Sequence, residues 1–408
     1  MTAAALDRRT VARRWAAENL FNSSFNAVVT VVFGGVIAYA AFRAGRFVFV
    51  SAEWEILRVN IASFLVGRFP RDELWRTWTA VFVLAGVIGF AAGVGARLTT
   101  EQDLAMGKQP EPGTRRDAVA RLWPLGLLAA VLLVLAHGTV PVVLVAGVMA
   151  TVVLFRLAGR RSPRLLLRLA WVPIVAGLVA ALQVVVGFGG VGWDRWGGLL
   201  LTAFAAVGGI VIAFPLGLLL ALGRRSSLPA VRVASITYIE FFRGVPLITL
   251  LFMGVFVIGF LFPTGFDTPS RLTRAMIAIV VFEAAYVAEV VRGGLQAVPR
   301  GQYEAAQAIG LSPWKVTRLI VLPQALRAVI PAMVGQFISL YKDTSLLAIV
   351  GFYELLSVAQ TVTQQPGFLG QGLHTETLAF AAFVYWVGSY TMSRESQRLE
   401  RRLGVGER

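Results

Sequence analysis

Between Asn26 and Ser393 one pattern repeats: an apolar stretch of membrane length, then a shorter stretch that gathers arginines. About ten such stretches fall at 26–42, 79–96, two within 122–157, 169–187, 199–222, 244–262, 275–291, 328–350 and 378–393. A run of roughly 20 apolar residues crosses the hydrocarbon core as a helix, which satisfies its own backbone hydrogen bonds where no water is present. With 57% hydrophobic residues, 15% charged residues and a mean hydropathy of +0.72, the 408-residue chain is too apolar for a water-soluble globule. The reading is an all-α, polytopic membrane protein.

The basic residues set its orientation. Of 38 Lys and Arg, 28 fall in the segments 1–25, 97–121, 156–168, 223–243, 292–327 and 394–408, and nine in the alternate segments 43–78, 188–198, 263–274 and 351–377. The positive-inside rule makes the richer side cytoplasmic and places both termini there. A net charge of +16 gathered between apolar spans reads as a topology signal facing anionic lipid, not as a nucleic-acid face. Tryptophans 54, 75 and 78 in the mixed-charge segment 43–78 fit an interfacial belt.

Two stretches are open to more than one reading. As one helix, the 36 residues of 122–157 would be about 54 Å long against a core of about 30 Å, so two short spans joined at His137-Gly138-Thr139 are expected. A single span would invert the N-terminal half. Arg8, Arg9, Arg13 and Arg14 before an apolar run imitate a secretory signal, with Ala38-Tyr39-Ala40 as a cleavage site. Because nine further spans follow, the run is read as an uncleaved first helix. Gln109-Pro110-Glu111-Pro112-Gly113 is the most linker-like stretch, and Gly187 to Gly198 reads as a hinge between halves.

The chemistry available is narrow. There is no cysteine, and His137 and His374 stand far apart outside any metal-ligand spacing, so thiolate metal sites and thiol chemistry are excluded and no metal site is expected. No G-x-x-x-x-G-K-[ST] occurs, and the three lysines are Lys108, Lys315 and Lys342. The chain is therefore no ATPase and carries no cofactor of its own.

One polar island stands out. Glu304-Ala305-Ala306 is followed after three residues by Gly310, and after nine more by Ile320-Val321-Leu322-Pro323. A helix over about 301–309 should stop at Gly310, which can take the left-handed C-cap conformation. A second should start at Ser312 and Pro313 and end before Pro323. Its apolar residues Leu311, Trp314, Val316 and Ile320 are too many for a solvated loop and read as a ridge offered to a partner.

This spacing resembles, without departure, the EAA signature of permease subunits of bacterial ABC importers. The resemblance implies that Glu304, Ala305, Ala306, Gly310, Leu311, Ser312, Pro313, Trp314, Ile320, Leu322 and Pro323 form the cytoplasmic coupling loop, which docks helix-in-groove on a separate ATPase subunit. Tyr238 to Leu247, Glu283 to Gly294 and Lys342-Asp343-Thr344-Ser345-Leu346 are similar to blocks of the His/Glu/Gln/Arg/opine permeases for polar amino acids, over about residues 195–404. More weakly, the front half resembles the general L-amino acid permeases, which carry extra spans before the common core.

Ionisable residues inside spans are a second candidate site. Lys342 and Asp343 lie 15 residues beyond Arg327, about 22 Å along a continuing helix. Charges at that depth face a bundle interior. Lys342 either pairs with Glu283 or Glu289 as a strut, or belongs with Asp343, Thr344, Ser345, Glu283 and Glu289 to a translocation path, in which Lys342 and Asp343 offer both signs of charge to a zwitterion. Gly244 and Pro246 mark either a broken helix lining a cavity or an ordinary proline start.

Together the resemblance implies five extra spans plus a five-helix type I importer core, divided as 1–190 extension, 191–396 core with the coupling loop at 293–327, and a tail at 397–408. It implies a bacterial inner-membrane permease for amino acids. Its partners would be an ATPase dimer holding ATP and Mg, a second permease, identical or homologous, and a periplasmic binding protein met by the loop 351–377. An ion-coupled secondary transporter using Lys342, Asp343, Glu283 and Glu289 is the alternative.

Overall fold

The computed structural model describes residues 8–105, 107, 115–136, 138–163, 169, 171–187, 190–262, 265 and 267–403. The expected linker Gln109 to Gly113 and His137 lie outside them. Among the described residues every regular element is a helix, with one isolated backbone bridge between Gly198 and Glu354.

The chain forms two compact units that divide after Trp54. The first holds α1 (Arg8–Asn19) and α2 (Ser24–Arg46), the latter prolonged by a π turn to Ser51. Ser23 starts α2 by accepting the Asn26 N–H on its hydroxyl. No residue of α2 is buried, and its length and apolarity suit a surface that meets lipid.

The second unit contains α3 (Glu55–Val66), α4 (Leu74–Ala105), α5 (Arg115–Ala136), α6 (Thr139–Arg161) and α7 (Trp171–Val186). It continues with α8 (Gly198–Gly223), α9 (Pro229–Gly244), α10 (Leu247–Phe252, carried on to Leu261) and α11 (Arg271–Ala297). Last come α12 (Arg300–Ala308), α13 (Leu322–Asp343), α14 (Leu355–Thr361) and α15 (His374–Leu403).

Among the described residues five helices are long and apolar enough to cross a membrane, or six if the bent pair α9–α10 counts as one. The shortfall from ten has a physical cause. The apolar parts of α5 and α7 are only Trp123–Ala136 and Val172–Val186, while α11 carries Arg271, Arg274, Glu283, Glu289 and Arg292. The stretch 122–157 is two helices meeting at Gly138, whose φ of 120° favours glycine.

Small residues let these helices approach closely. A Cβ at Gly93 would strike the Arg156 carbonyl and one at Gly159 the Phe90 carbonyl, which locks α4 against α6. Along α11, Ala275, Ala278, Ala284, Ala285 and Ala288 are buried, and a Cβ at Gly217 of α8 would meet Val287. The α8–α11–α13 packing so made carries two core clusters of the second unit.

Three features differ from the sequence reading. Residues 55–66 of the mixed-charge segment form α3, whose Ile56, Leu57, Asn60 and Phe64 are buried. Phe64 meets Phe380 of α15 edge to face, and Gln365 donates to the Asn60 side chain at 2.7 Å. Next, the helix begun at Pro313 does not end before Pro323. It widens into a π turn over Val316–Val321 and runs on as α13. The Leu322 N–H reaches back to Thr317, a register that tolerates the donor missing at Pro323. Finally, the helix stops at Asp343 and a 3-10 turn follows over Thr344–Ala348, so Lys342 lies in a last helical turn, where its charge suits the carbonyl end of the dipole.

The chain is bent by 102° between α9 and α10. Pro246 removes a backbone donor and holds Val245 extended, with φ −104° and ψ 133°. Gly244 and Pro246 thus mark a true break.

Candidate functional site

The ridge at 300–323 is built around one turn. Gly310 has φ of 82°; its N–H donates to the Gln307 carbonyl at 2.9 Å and the Leu311 N–H to the Ala306 carbonyl at 3.2 Å. These two bonds are a Schellman closure, which uses up the last carbonyls of α12. Ser312 is extended, and its carbonyl accepts the Val316 N–H at 2.9 Å. Its hydroxyl makes no capping bond.

Burial sorts the signature residues into two sets. Ala306, Val316 and Val321 are buried, and Leu311, Ile320 and Leu322 are partly buried, in one cluster with Ile239 of α9 and Val291 and Leu295 of α11. Glu304, Ala305, Gly310, Ser312, Pro313, Trp314 and Pro323 are exposed. The outward apolar ridge is therefore Ile309, Trp314 and Leu319, at 76%, 64% and 57% exposure. The sequence reading chose Leu311, Val316 and Ile320, which face the core, and missed Ile309 and Leu319. Only knowledge of the turn fixes which helix face points outward.

Polar ties fasten this ridge to the helical core. Arg225, just after α8, donates to the Tyr303 hydroxyl at 2.9 Å, stacks over its ring and reaches the Leu295 carbonyl at 3.4 Å. Gln324 donates to Gln302 at 3.3 Å. A displacement of α12 is thus felt directly by the ends of α8 and α11.

The ionisable residues do not form one cluster. Glu289 sits among arginines: Arg292 donates to both its oxygens, Arg243 lies at 3.5 Å and Arg224 at 3.8 Å. Arg224 also holds Glu240 at 2.9 Å. This group clamps the elbow α9 to the ends of α8 and α11. Glu283 lies about 9 Å farther along α11. It is buried at 1% exposure, accepts from the Gln336 amide of α13 at 3.1 Å on Oε2, and lies within reach of the Asp343 charge. Among the described residues Lys342 pairs with neither Glu283 nor Glu289, so the strut reading is not what the structure holds. Lys342 is exposed, Asp343 and Ser345 half-buried and Thr344 buried, its hydroxyl donating to the Tyr341 carbonyl at 2.7 Å.

A third carboxylate was invisible to sequence reasoning. Glu354 is fully buried: Oε1 caps α14 by accepting the Ser357 N–H at 2.8 Å, and Oε2 accepts from the Tyr385 hydroxyl at 3.0 Å and the Thr202 hydroxyl at 3.4 Å. It ties α8, α14 and α15 together. Among the described residues no cluster of side chains could hold a metal ion.

Residues 213–405 match the family described as the binding-protein-dependent transport system inner membrane component. The inner membrane amino-acid ABC transporter permease protein YhdY of Escherichia coli K12 is 50% identical over 212 residues, which are 52% of this chain and 57% of that protein. The chain thus spans little over half the length of that relative. The glutamate/glutamine/aspartate/asparagine transport system permease protein BztC of Rhodobacter capsulatus is 37% identical over 357 residues, 86% of this chain and 78% of that protein. This chain belongs to the family. A solved amino acid ABC transporter with histidines aligns over 50% of the chain and 90% of its own, at 29% identity and a TM-score of 0.44. Membership in a permease family displaces the ion-coupled carrier considered from sequence.

Proposed function

We propose that this chain is the membrane permease subunit of an ATP-driven importer of polar amino acids in a bacterial inner membrane. The observation that carries the reading is the Ile309–Trp314–Leu319 ridge: an exposed apolar surface at the Gly310 turn and the first turns of the helix that follows it, fastened to three core helices. An ATPase seated there would pass its ATP-driven closure through Tyr303 and Arg225 to α8 and α11, biasing a two-state membrane element. ATP and Mg belong to that ATPase. Family membership and the amino-acid transport named for YhdY and BztC support the substrate class.

The finer assignments rest on the same reading. Charge distribution supports about ten spans with both termini cytoplasmic, the third, fifth and eighth segments being helices too short or too charged to be recognised by apolarity alone. Residues 191–396 form the permease core with its coupling loop at 293–327, residues 1–190 the extension and 397–408 the tail. A second permease completes the path between the two copies, with Glu283, Asp343, Thr344 and Ser345 on its wall, and a periplasmic binding protein meets the loop 351–377. Lys342 stands at the mouth of that wall. Glu289 is assigned to the arginine clamp beside the coupling loop.

The test is to purify the tagged full chain from its native membrane and identify what remains bound. An ATPase with a second permease is the expected result; a lone polypeptide that transports amino acids in liposomes on an ion gradient would overturn the reading. Trp314→Ala is expected to cut retention of the ATPase by about tenfold while the amount of permease in the membrane is unchanged, since a large aromatic at the centre of an interface carries a disproportionate share of its energy. Undiminished retention would remove Trp314 from the contact.

A further inference from the structure

One buried group in the path lacks a partner. Glu283 Oε1 has less than 1 Å² of accessible surface and no hydrogen-bond donor, although Oε2 is held by Gln336. No Lys or Arg forms an ion pair with Glu283 among the described residues, and the nearby charge is the like-signed Asp343. An ionised carboxylate buried without a counter-charge is costly, and a membrane interior deepens that cost.

α13 carries a polar stripe in front of Glu283. Gln336, Ser339 and Asp343 follow at spacings of three and four, one stripe of the helix, and all are half-buried. Gly335 beside them has open space where a side chain would project. Such a polar stripe on a membrane helix belongs toward water or a second subunit rather than lipid. Glu283 stands behind this stripe, its Oε2 held by the Gln336 amide at 3.1 Å. Lys342 already acts on Asp343, which leaves Glu283 as the acid without any cation.

We propose that Glu283 is a specificity-determining residue, receiving the side-chain ammonium or guanidinium of a cationic amino acid on its free Oε1. This rests on the reading of the chain as an amino-acid permease. A zwitterion brings one cation and one anion to the path; a basic amino acid brings a second cation, which fits the second acid. A glutamate side chain would meet Glu283 as a like charge, and glutamine would offer only a neutral amide. The permease of this chain thus prefers basic over acidic substrates.

The experiment is equilibrium binding of radiolabelled L-arginine, L-glutamine and L-glutamate to the purified complex, prepared without binding protein so that the permease site alone is read. Saturable binding with arginine favoured over glutamate is expected, and Glu283→Gln, which keeps shape and loses charge, should lower the arginine-to-glutamine affinity ratio by about tenfold or more. Retention of partner subunits by the variant reports that it is folded. Glutamate binding as well as arginine, no saturable arginine binding, or an unchanged ratio in the variant would overturn the assignment. If the chain without an ATPase transports on an ion gradient while arginine binding persists and depends on Glu283, the importer reading fails and the cation site stands. If Glu283→Gln does not assemble, competition of glutamine binding by excess arginine in the unaltered protein decides: no competition overturns the proposal.

Discussion

Gly310→Val is expected to abolish energised uptake while leaving the permease in the membrane. Gly310 holds φ of 82°, and an added Cβ would meet nothing within 4 Å, so the effect is conformational rather than steric. A left-handed conformation costs an ordinary residue about 1–2 kcal/mol, and a β-branched side chain is among the least tolerant. Relief of that strain opens the Schellman bonds to Gln307 and Ala306 and swings Ile309 away from Trp314. In proteoliposomes carrying the complete complex, amino-acid uptake should fall more than tenfold. Gly310→Asn, which accepts the left-handed region far better, should keep much of it. Normal uptake by the valine variant would show that the turn does not transmit movement.

Glu354→Ala carries the largest expected loss of stability. It removes the N-cap of α14, for about 1 kcal/mol, and takes its carboxylate acceptor from the half-buried Tyr385 hydroxyl, for a combined cost of about 2–3 kcal/mol, while the Thr202 hydroxyl keeps the Gly198 carbonyl at 3.1 Å. The Thr202 hydroxyl also accepts the Leu355 N–H at 3.3 Å, so the loss spreads to the start of the same helix. The midpoint of thermal unfolding in detergent should drop by several degrees, with Glu354→Gln dropping less because its carbonyl oxygen still accepts. Equal midpoints for Glu354→Ala and the unaltered protein would show that this carboxylate does not hold the three helices together.

The clamp around Glu289 and the orphaned Glu283 show how differently one helix uses two acids. Six residues apart on α11, one is neutralised by three arginines drawn from the ends of α8, α9 and α11, and the other has a single amide. The first belongs to a joint that must hold; the second has the chemistry of a place that waits for its partner. Sequence spacing alone groups both with Lys342. Tertiary placement separates them, because Arg224 and Arg243 come from distant parts of the chain.

What the sequence determined by itself is what local rules carry. Apolar length required helices, and Gly310 ended α12 because only glycine takes that conformation at no cost, while Pro246 allowed either a break or an ordinary helix start until the fold decided for the break. The ridge was located by the spacing of Glu304, Gly310 and Pro323. What only the tertiary structure decided is which face each residue turns. Leu311, Val316 and Ile320 went inward because α9 and α11 supply a core for them, while Ile309 and Leu319 were left outside. The passage of the helix through Pro323 depended on a π turn within the packed α12–α13 joint, which no propensity signals. Glu354 reads as a loop acid until Thr202 and Tyr385, 152 residues before it and 31 after it, are brought to its oxygens. Local chemistry fixes where a helix begins and ends; burial and pairing depend on partners remote in the chain, and these exist only once the chain has folded.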